Sequence, residues 1–196
     1  MKLKEYSSKP GTLIIILINI LIYITLNFFP HLTDVFLLDP NLVMDKPWTL
    51  LTAFFSHKVT IHALLNILLI FVFGAQLEKV TNAKEVVYSY FLCGLIGSLA
   101  TLAYAPLIGW DGDPVAGASA AAFGVVAVYS VLEPNAIILK SKSKHWLIAL
   151  FVVNLLLTLQ NPQTSIGGAA HAVGIVVGLI YGYMYKKRRN YLQISI

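Results

Sequence analysis

Two polar residues that could act together in catalysis lie inside apolar segments of the sequence. Ser119 stands in the run Gly-Ala-Ser-Ala-Ala-Ala-Phe-Gly, and His171 stands in Ala-His-Ala-Val-Gly. Polar and ionisable side chains at bilayer depth are costly, so they mark functional sites by default. A serine with a histidine as its base is the minimal equipment for nucleophilic attack on a carbonyl carbon. The pair therefore indicates acyl-transfer chemistry inside a membrane.

The residues around Ser119 predict a helix start. Gly117 permits a tight turn, after which Ser119 would lie in the first helical turn. Backbone N–H groups there lack partners within the helix and favour negative charge. The geometry that presents the Ser119 hydroxyl would thus also offer donors to an oxyanion. The alternative is that Ser119 only caps the helix.

His171 has no acidic residue to orient it within the predicted spans. A Ser–His dyad is therefore expected rather than a Ser–His–Asp triad. A neutral imidazole could accept the serine proton during attack and return it to the leaving amine. The alternative is a core histidine that forms a hydrogen bond across helices.

Small residues are expected to bring the serine and the histidine together. They lie on one face of the fourth predicted helix at Gly117, Ala121 and Gly124, and they follow His171 on the sixth at Gly174 and Gly178. Small side chains at four-residue spacing let helix backbones approach closely. The Gly-x-x-x-Gly pattern is equally typical of helix dimerisation.

A second polar pair, His62 and Asn66, lies in the second predicted span. Four-residue spacing puts both side chains on one helical face. Both can donate hydrogen bonds, so they fit auxiliary oxyanion donors. The alternative is a structural hydrogen bond between helices.

The elements that must position these residues are six apolar segments. They run at about 12–29, 59–77, 86–104, 117–132, 146–159 and 166–185. We predict an all-α polytopic membrane protein, a six-transmembrane-helix bundle in a single domain, 1–196. The fourth and fifth segments are short of the roughly 17–25 residues of a span. Short helices suit elements that begin inside a protein-walled cavity.

Composition and charge agree with a membrane protein. Hydrophobic residues make up 58% and charged residues 12%, against about 25% charged in soluble domains. With six spans, most basic residues would lie on one side, at Lys2, Lys4, Lys9, Lys79, Lys84, Lys140, Lys142, Lys144 and 186–189. The positive-inside rule then places both termini in the cytoplasm. The net charge of +5 indicates topology and contact with the lipid bilayer, and we expect no nucleic-acid partner.

The sequence carries no His-Glu-x-x-His motif and no pair of aspartates inside a predicted span. We expect no metal. The long loop at 31–58 contains Trp48 and many apolar residues, and we expect it to lie partly in the outer membrane interface.

These motifs, in this order on six spans, resemble the rhomboid family of intramembrane serine proteases. The likeness covers about residues 38–182. It implies a six-helix bundle with a water-filled cavity that opens outward. It also implies hydrolysis through an acyl-enzyme intermediate, with no cofactor.

The resemblance assigns a role to each motif residue. Ser119 would be the nucleophile and His171 the general base. His62, Asn66 and the Ser119 backbone N–H would bind the oxyanion. Phe123 would pack against the His171 ring.

The resemblance extends to Gly74-Ala75-Gln76-Leu77-Glu78, where the family's glutamate is structural. Two positions depart from the family pattern. Ala120 follows the serine where the family usually has glycine, and Thr49 follows Trp48 where the family often has arginine.

The implied function is that of a serine endopeptidase that cleaves in or near transmembrane segments of other proteins. Single-span membrane proteins would be the substrates, entering laterally between the second and fifth helices. The compact form is commoner in prokaryotes, so we expect a multi-pass protein of the plasma (inner) membrane. The sequence leaves open the physiological substrate, the pathway, the oligomeric state and the element that gates entry.

Two alternatives are non-enzymatic. A rhomboid-like pseudoprotease that escorts membrane helices would usually lack the serine or the histidine. A small transporter would line a path through both leaflets with polar residues. Here the polar residues of the motifs cluster toward the outer side, while Asn19 and Asn154 stand alone.

Overall fold

The computed structural model describes residues 9–162 and 165–194, which are mostly helical. Its α-helices are α1 (Pro10–Phe28), α2 (Thr33–Phe36), α3 (Thr49–Thr52), α4 (Thr60–Leu69), α5 (Ala75–Val80), α6 (Ala83–Tyr104), α7 (Ser119–Leu132), α8 (Ser143–Gln160) and α9 (Gly167–Ile194). Short 3₁₀ turns lie at Pro30–Leu32, Ala53–Phe55 and Ala105–Ile108, and a π-helical turn at Ile70–Gly74 joins α4 to α5. A small antiparallel hairpin pairs β1 (Ile137–Ile138) with β2 (Ser141–Lys142). Lys2 and Lys4, counted above among the cytoplasmic charges, lie outside the described residues.

Five helical segments are long and apolar enough to cross a membrane. They are Pro10–Phe28, Thr60–Val80, Ala83–Ile108, Ser143–Gln160 and Gly167–Tyr191. The chain is therefore a polytopic helical membrane protein. The remaining apolar helix, α7, has 14 residues, fewer than the roughly 17 of a spanning helix. The count of six spans and the side of the termini stay predictions.

Helix α7 is the central element of the bundle. Twelve of its 14 residues are buried, and it packs mainly against α9, α6 and α8. A helix that is apolar on every side belongs in the interior of a protein. Because protein rather than lipid surrounds it, α7 can be short.

Several predicted helix starts differ from the structure. The third helix begins at Ala83 rather than at 86. The fourth helix begins at Ser119 rather than at 117, because Gly117 has a φ of +150°, which no helix contains. The fifth helix is not short: it begins at Ser143 and has 18 residues. Its first turn contains the polar residues Lys144 and His145, so the apolar segment in the sequence begins after the helix does.

The close packing of α7 and α9 depends on glycines. A Cβ added at Gly174 would lie 2.3 Å from the backbone oxygen of Ala120, and one at Gly178 would lie 2.4 Å from that of Gly124. Carbon–oxygen contacts between helices normally measure about 3.3–3.6 Å. The two backbones therefore touch, as the four-residue glycine spacing predicts.

The face of α7 in this contact matches the predicted one only in part. Gly124 meets the α9 glycines as predicted, but the other residue in the contact is Ala120 instead of Gly117 or Ala121. Gly117 precedes the helix, and Ala121 packs into the hydrophobic core. Since Gly117 is not part of the helix, it could not indicate which face of α7 meets α9.

Glu78 ties the end of α5 to the start of α1. Its carboxylate accepts hydrogen bonds from the backbone N–H groups of Gly11 (3.0 Å) and Thr12 (2.8 Å) and from the Thr12 hydroxyl (2.7 Å). A buried carboxylate is tolerated when such donors satisfy it, and the helix N-terminus favours its charge. These bonds give Glu78 the structural role that the resemblance implied.

The long loop folds over the end of the bundle where α7 begins. Leu38 and Val115 exchange two backbone hydrogen bonds of 2.9 and 2.7 Å. Trp48 donates its indole N–H to Val35 O, and half of its side chain is exposed. Thr49 is buried and donates its hydroxyl to Lys46 O at 2.7 Å. The threonine therefore braces the loop locally.

Candidate active site

Ser119 and His171 lie side by side although 52 positions separate them in the chain. The Ser119 Oγ and the His171 Nε2 are 2.5 Å apart. Ser119 is the first residue of α7, and His171 lies one turn into α9. A hydroxyl this close to an imidazole nitrogen can pass its proton directly to the ring.

Backbone contact between α7 and α9 sets this distance. Gly174, less than one turn after His171, touches the carbonyl of Ala120, the residue after the serine. Phe123, one turn further along α7, packs its ring against the imidazole with centroids 4.9 Å apart. The imidazole therefore has packing on one side and the hydroxyl at its tip.

His62 lies on the other side of the serine, across Gly117. A Cβ on Gly117 would lie 2.6 Å from His62 Cε1 and 3.5 Å from Ser119 Oγ. Gly117 also has a positive φ, which L-residues rarely adopt. Only glycine fits here, and its lack of a side chain leaves His62 and the hydroxyl facing the same space.

Asn66 is brought next to His62 but is not among the residues that line the cavity. Its amide nitrogen donates to the backbone oxygen of His62 at 3.0 Å. The same nitrogen lies 3.2 Å from His57 Nε2. Its amide hydrogens are therefore engaged with protein atoms in this conformation.

The sequence analysis did not identify His57. Its side chain is 1% exposed, and its Nε2 accepts a hydrogen bond of 3.3 Å from the backbone N–H of Ala118, next to the nucleophile. Burial, assisted by the nearby His62, lowers the pKa of His57 to about 4. The neutral ring can therefore accept hydrogen bonds and fix the turn before α7. A histidine five residues before His62 was the available signal, but the predicted span began after it.

Asn154 was also missed. Its Oδ1 lies 2.8 Å from His171 Nδ1, and its Nδ2 donates to Gly168 O at 3.0 Å. The expectation that Asn154 and Asn19 stand alone is wrong, since Asn19 also has a partner on another helix, the Tyr90 hydroxyl at 3.1 Å. Sequence spacing cannot show such contacts, because the partners lie on different helices.

A cavity of about 610 Å³ lies next to the serine and the two histidines. Ser119, His171 and His62 line it together with the polar side chains of Ser98 and Thr101. Its remaining walls are largely apolar and come from α6, α8 and the loops. A space of this size can hold a short extended peptide segment and water.

An ion pair lies in the cavity lining. Lys58 Nζ and Asp113 Oδ2 are 3.3 Å apart, and the side chains are 38% and 91% exposed. Exposed pairs of this kind contribute about 0–1 kcal/mol to stability. Within residues 9–162 and 165–194, no group of three or more His, Cys, Asp or Glu side chains is placed to hold a metal ion.

Comparisons with known proteins agree on one family. The family model described as "Rhomboid domain" matches residues 44–188. A Bacillus subtilis (strain 168) protein named "Putative rhomboid protease YdcA" is 32% identical over 149 residues, which cover 74% of this chain and 71% of the relative. The Toxoplasma gondii "Rhomboid-like protease 3" is 30% identical over 79 residues, covering 40% and 28% of the two chains. The Arabidopsis thaliana "RHOMBOID-like protein 6, mitochondrial" is 27% identical over 141 residues, covering 71% and 44%.

Proposed function

Since the chain belongs to the rhomboid family, we propose that it is an intramembrane serine endopeptidase that uses Ser119 and His171. Family membership confirms the resemblance drawn from the sequence motifs and implies intramembrane proteolysis. The observation that carries the specific assignment is the 2.5 Å contact between Ser119 Oγ and His171 Nε2 at the cavity. Two polar groups in such contact, facing a cavity within an apolar bundle, have the geometry of a nucleophile and its base.

In the first half of the reaction, the Ser119 Oγ attacks the carbonyl carbon of the scissile bond. His171 Nε2 takes the hydroxyl proton as the C–O bond forms, and the carbonyl oxygen becomes an oxyanion. The imidazolium then gives this proton to the leaving amine as the C–N bond breaks. The product is an acyl-enzyme and a free amine.

In the second half, a water molecule replaces the amine. His171 takes a proton from the water as its oxygen attacks the ester carbon, and returns that proton to Ser119 Oγ as the ester breaks. Ser98 and Thr101, which line the cavity, can hold such a water near the site by hydrogen bonding. The peptide is released as a carboxylic acid.

The oxyanion is bound by the Ser119 backbone N–H and the His62 ring. The N–H belongs to the first turn of α7, where it lacks a partner within the helix. Asn66 is a third donor, whose amide must turn away from His57 to reach the oxyanion. Catalytic hydrogen bonds often tighten only when the substrate binds.

Four further residues do not react themselves but keep the reacting groups in place. Gly117 leaves room between His62 and the hydroxyl, and Phe123 packs on the His171 ring. Gly174 and Gly178 keep α9 in backbone contact with α7.

The proposal includes the membrane arrangement. The apolar segment of α7 completes a set of six spans, and the positive-inside rule places both termini in the cytoplasm. Substrates are single-span membrane proteins, whose helix must unwind locally before its carbonyls can be attacked. They enter between the second and fifth spans. The Bacillus relative supports a prokaryotic plasma membrane.

The test uses purified protein in liposomes with a fluorescently labelled single-span substrate. Wild type should cleave it, and Ser119→Ala and His171→Ala should not. Ser130→Ala is the matched control, because Ser130 is also a buried serine of α7 but donates to Ser143 O, away from the cavity. This control should cleave at the wild-type rate per folded protein.

A covalent probe adds a second measurement. A fluorophosphonate should label wild type and Ser130→Ala but not Ser119→Ala. Cleavage by Ser119→Ala at the wild-type rate would refute the assignment of Ser119 as the nucleophile. Substrate binding by wild type without any cleavage would favour the escort function over the protease.

A further inference from the structure

We propose that Asn154 is a positioning residue for the base, so that the site works as a Ser119–His171–Asn154 array. The inference deepens the proposed function and rests on it. It starts from the 2.8 Å contact between His171 Nδ1 and Asn154 Oδ1, on the side of the ring away from the serine. The ring is thus held at both nitrogens, by Ser119 Oγ at one and by Asn154 at the other.

The contact selects one tautomer of the imidazole. In a neutral ring one nitrogen carries the proton and the other a lone pair. Because the Asn154 Oδ1 can only accept, the proton must be on Nδ1. The lone pair is then on Nε2, which faces the Ser119 hydroxyl, and this is the tautomer that a general base requires.

The orientation of the Asn154 amide follows from its other bond. Its Nδ2 donates to the backbone oxygen of Gly168 at 3.0 Å. If the amide were flipped, its oxygen would face the carbonyl oxygen of Gly168, and this contact between two acceptors would be repulsive. The fold therefore presents an acceptor to His171.

The Thr158 side chain of α8 packs directly against the backbone of α9 at this point. A Cβ on Gly168 would lie 1.9 Å from Thr158 Oγ1. Thr158 lies one turn after Asn154 and donates its hydroxyl to the Asn154 backbone oxygen at 2.8 Å. The Asn154 side chain is 8% exposed. The amide thus has a fixed place next to the ring.

A neutral amide suits this place better than a carboxylate would. A buried carboxylate within a membrane-spanning bundle would itself need charge compensation. The amide oxygen orients the neutral ring and, once the ring is protonated, accepts a charge-assisted hydrogen bond. If the amide mattered only because it ties α8 to α9 through Gly168, its removal would lower stability and leave the protonation of His171 unchanged. The two interpretations therefore differ in their predicted pH profiles.

The kinetic test compares Asn154→Leu with Asn154→Asp. Asn154→Leu should lower kcat on the order of 10²-fold, the low end of what acid–base catalysis contributes, with KM unchanged. Asn154→Asp should recover most of the kcat, and its added negative charge should move the acid limb of the kcat–pH profile to higher pH, because it favours the protonated ring.

Asn19→Leu is the matched control. It removes a buried asparagine that bonds across helices to Tyr90, away from the cavity. It should keep the wild-type kcat and pH profile per folded protein. If Asn154→Leu behaves like Asn19→Leu, the positioning role is refuted.

A measurement without substrate separates this inference from the proposed function. ¹⁵N NMR of histidine-labelled Ser119→Ala should show His171 protonated at Nδ1, and adding Asn154→Leu should abolish that preference. This tautomer in Ser119→Ala, together with no cleavage by the wild-type protein, would refute the proposed protease alone. A His171 protonated at Nε2 would overturn the inference about Asn154 whether or not the protein cleaves.

Discussion

The contact between α7 and α9 makes a graded prediction for three glycines of α9. An added Cβ would lie 2.3 Å from Ala120 O at Gly174, 2.4 Å from Gly124 O at Gly178, and 3.1 Å from Val128 Cα at Gly182. A glycine-to-alanine substitution would therefore place a methyl group against a backbone carbonyl oxygen at Gly174 and Gly178. At Gly182 the methyl group would have a longer and less repulsive contact.

The magnitude follows from these distances. Since carbon–oxygen contacts measure about 3.3–3.6 Å, Gly174→Ala must separate the helices locally by about 1 Å. Overpacking costs about 1–3 kcal/mol, while alanine gains about 1 kcal/mol over glycine in helix propensity. At Gly182 the two terms nearly cancel. At Gly174 the overpacking term is larger, and the shift occurs beside the residues that hold Ser119 against His171.

Activity should therefore respond more steeply than stability. A misplacement of about 1 Å between reacting groups can reduce the rate about 10²-fold. We expect a loss of this order in kcat for Gly174→Ala and no loss for Gly182→Ala.

The assay is proteoliposome cleavage normalised to folded protein, with unfolding by denaturant in detergent as the stability measurement. Gly182→Ala is the control for the general effect of alanine in α9. Equal kcat values for the two variants would show that the backbone contact does not set the catalytic distance, and the argument from α9 packing would fail.

Three further predictions concern residues around the site and the N-terminal helix. Because burial holds the pKa of His57 near 4 instead of 6.5, the unfolded chain takes up a proton that the folded one does not as the pH falls through this window. The free energy of unfolding should be highest above pH 6.5 and fall toward pH 4 by up to about 3 kcal/mol. Denaturant titrations should show a smaller fall for His57→Gln over this pH range, and the same fall in both proteins would contradict the prediction. Glu78→Gln should cost about 1.5–3 kcal/mol of stability, since the carboxylate caps α1 at Thr12, yet leave kcat per folded protein unchanged; a lower kcat would place Glu78 in the chemistry. Gly117→Ala should cost about 1–3 kcal/mol through backbone strain and also lower kcat/KM, because the new Cβ would displace His62; wild-type kcat/KM in this variant would show that His62 need not stay where it is.

The sequence could predict the helical segments and the contact between the two key helices. Each of the six apolar segments overlaps a helix of the structure, because hydrophobic runs of this length have few other stable forms. The four-residue spacing of Gly174 and Gly178 predicted close backbone packing, which the structure has. Both signals are local along the chain.

The features that the sequence could not predict depend on distant parts of the chain. His57 lies in a loop and reaches the Ala118 N–H 61 positions away, and Asn154 reaches His171 from another helix. Hydropathy shows each polar residue but not its partner. The face of α7 was also misassigned in part, because Gly117, which was used to define it, lies before the first helical residue.

Ala120 shows how a departure from the family pattern is accommodated by its surroundings. Its backbone oxygen touches Gly174 on α9, and its methyl group faces Gly97 on α6, where an added Cβ would lie only 2.7 Å away. The methyl is therefore accommodated by a glycine of the third predicted span. Since Ala120 is held between α6 and α9, the residue before it in the chain, Ser119, is fixed from two directions at once. The alanine thus fills space beside the nucleophile and helps to hold the hydroxyl where the imidazole can reach it.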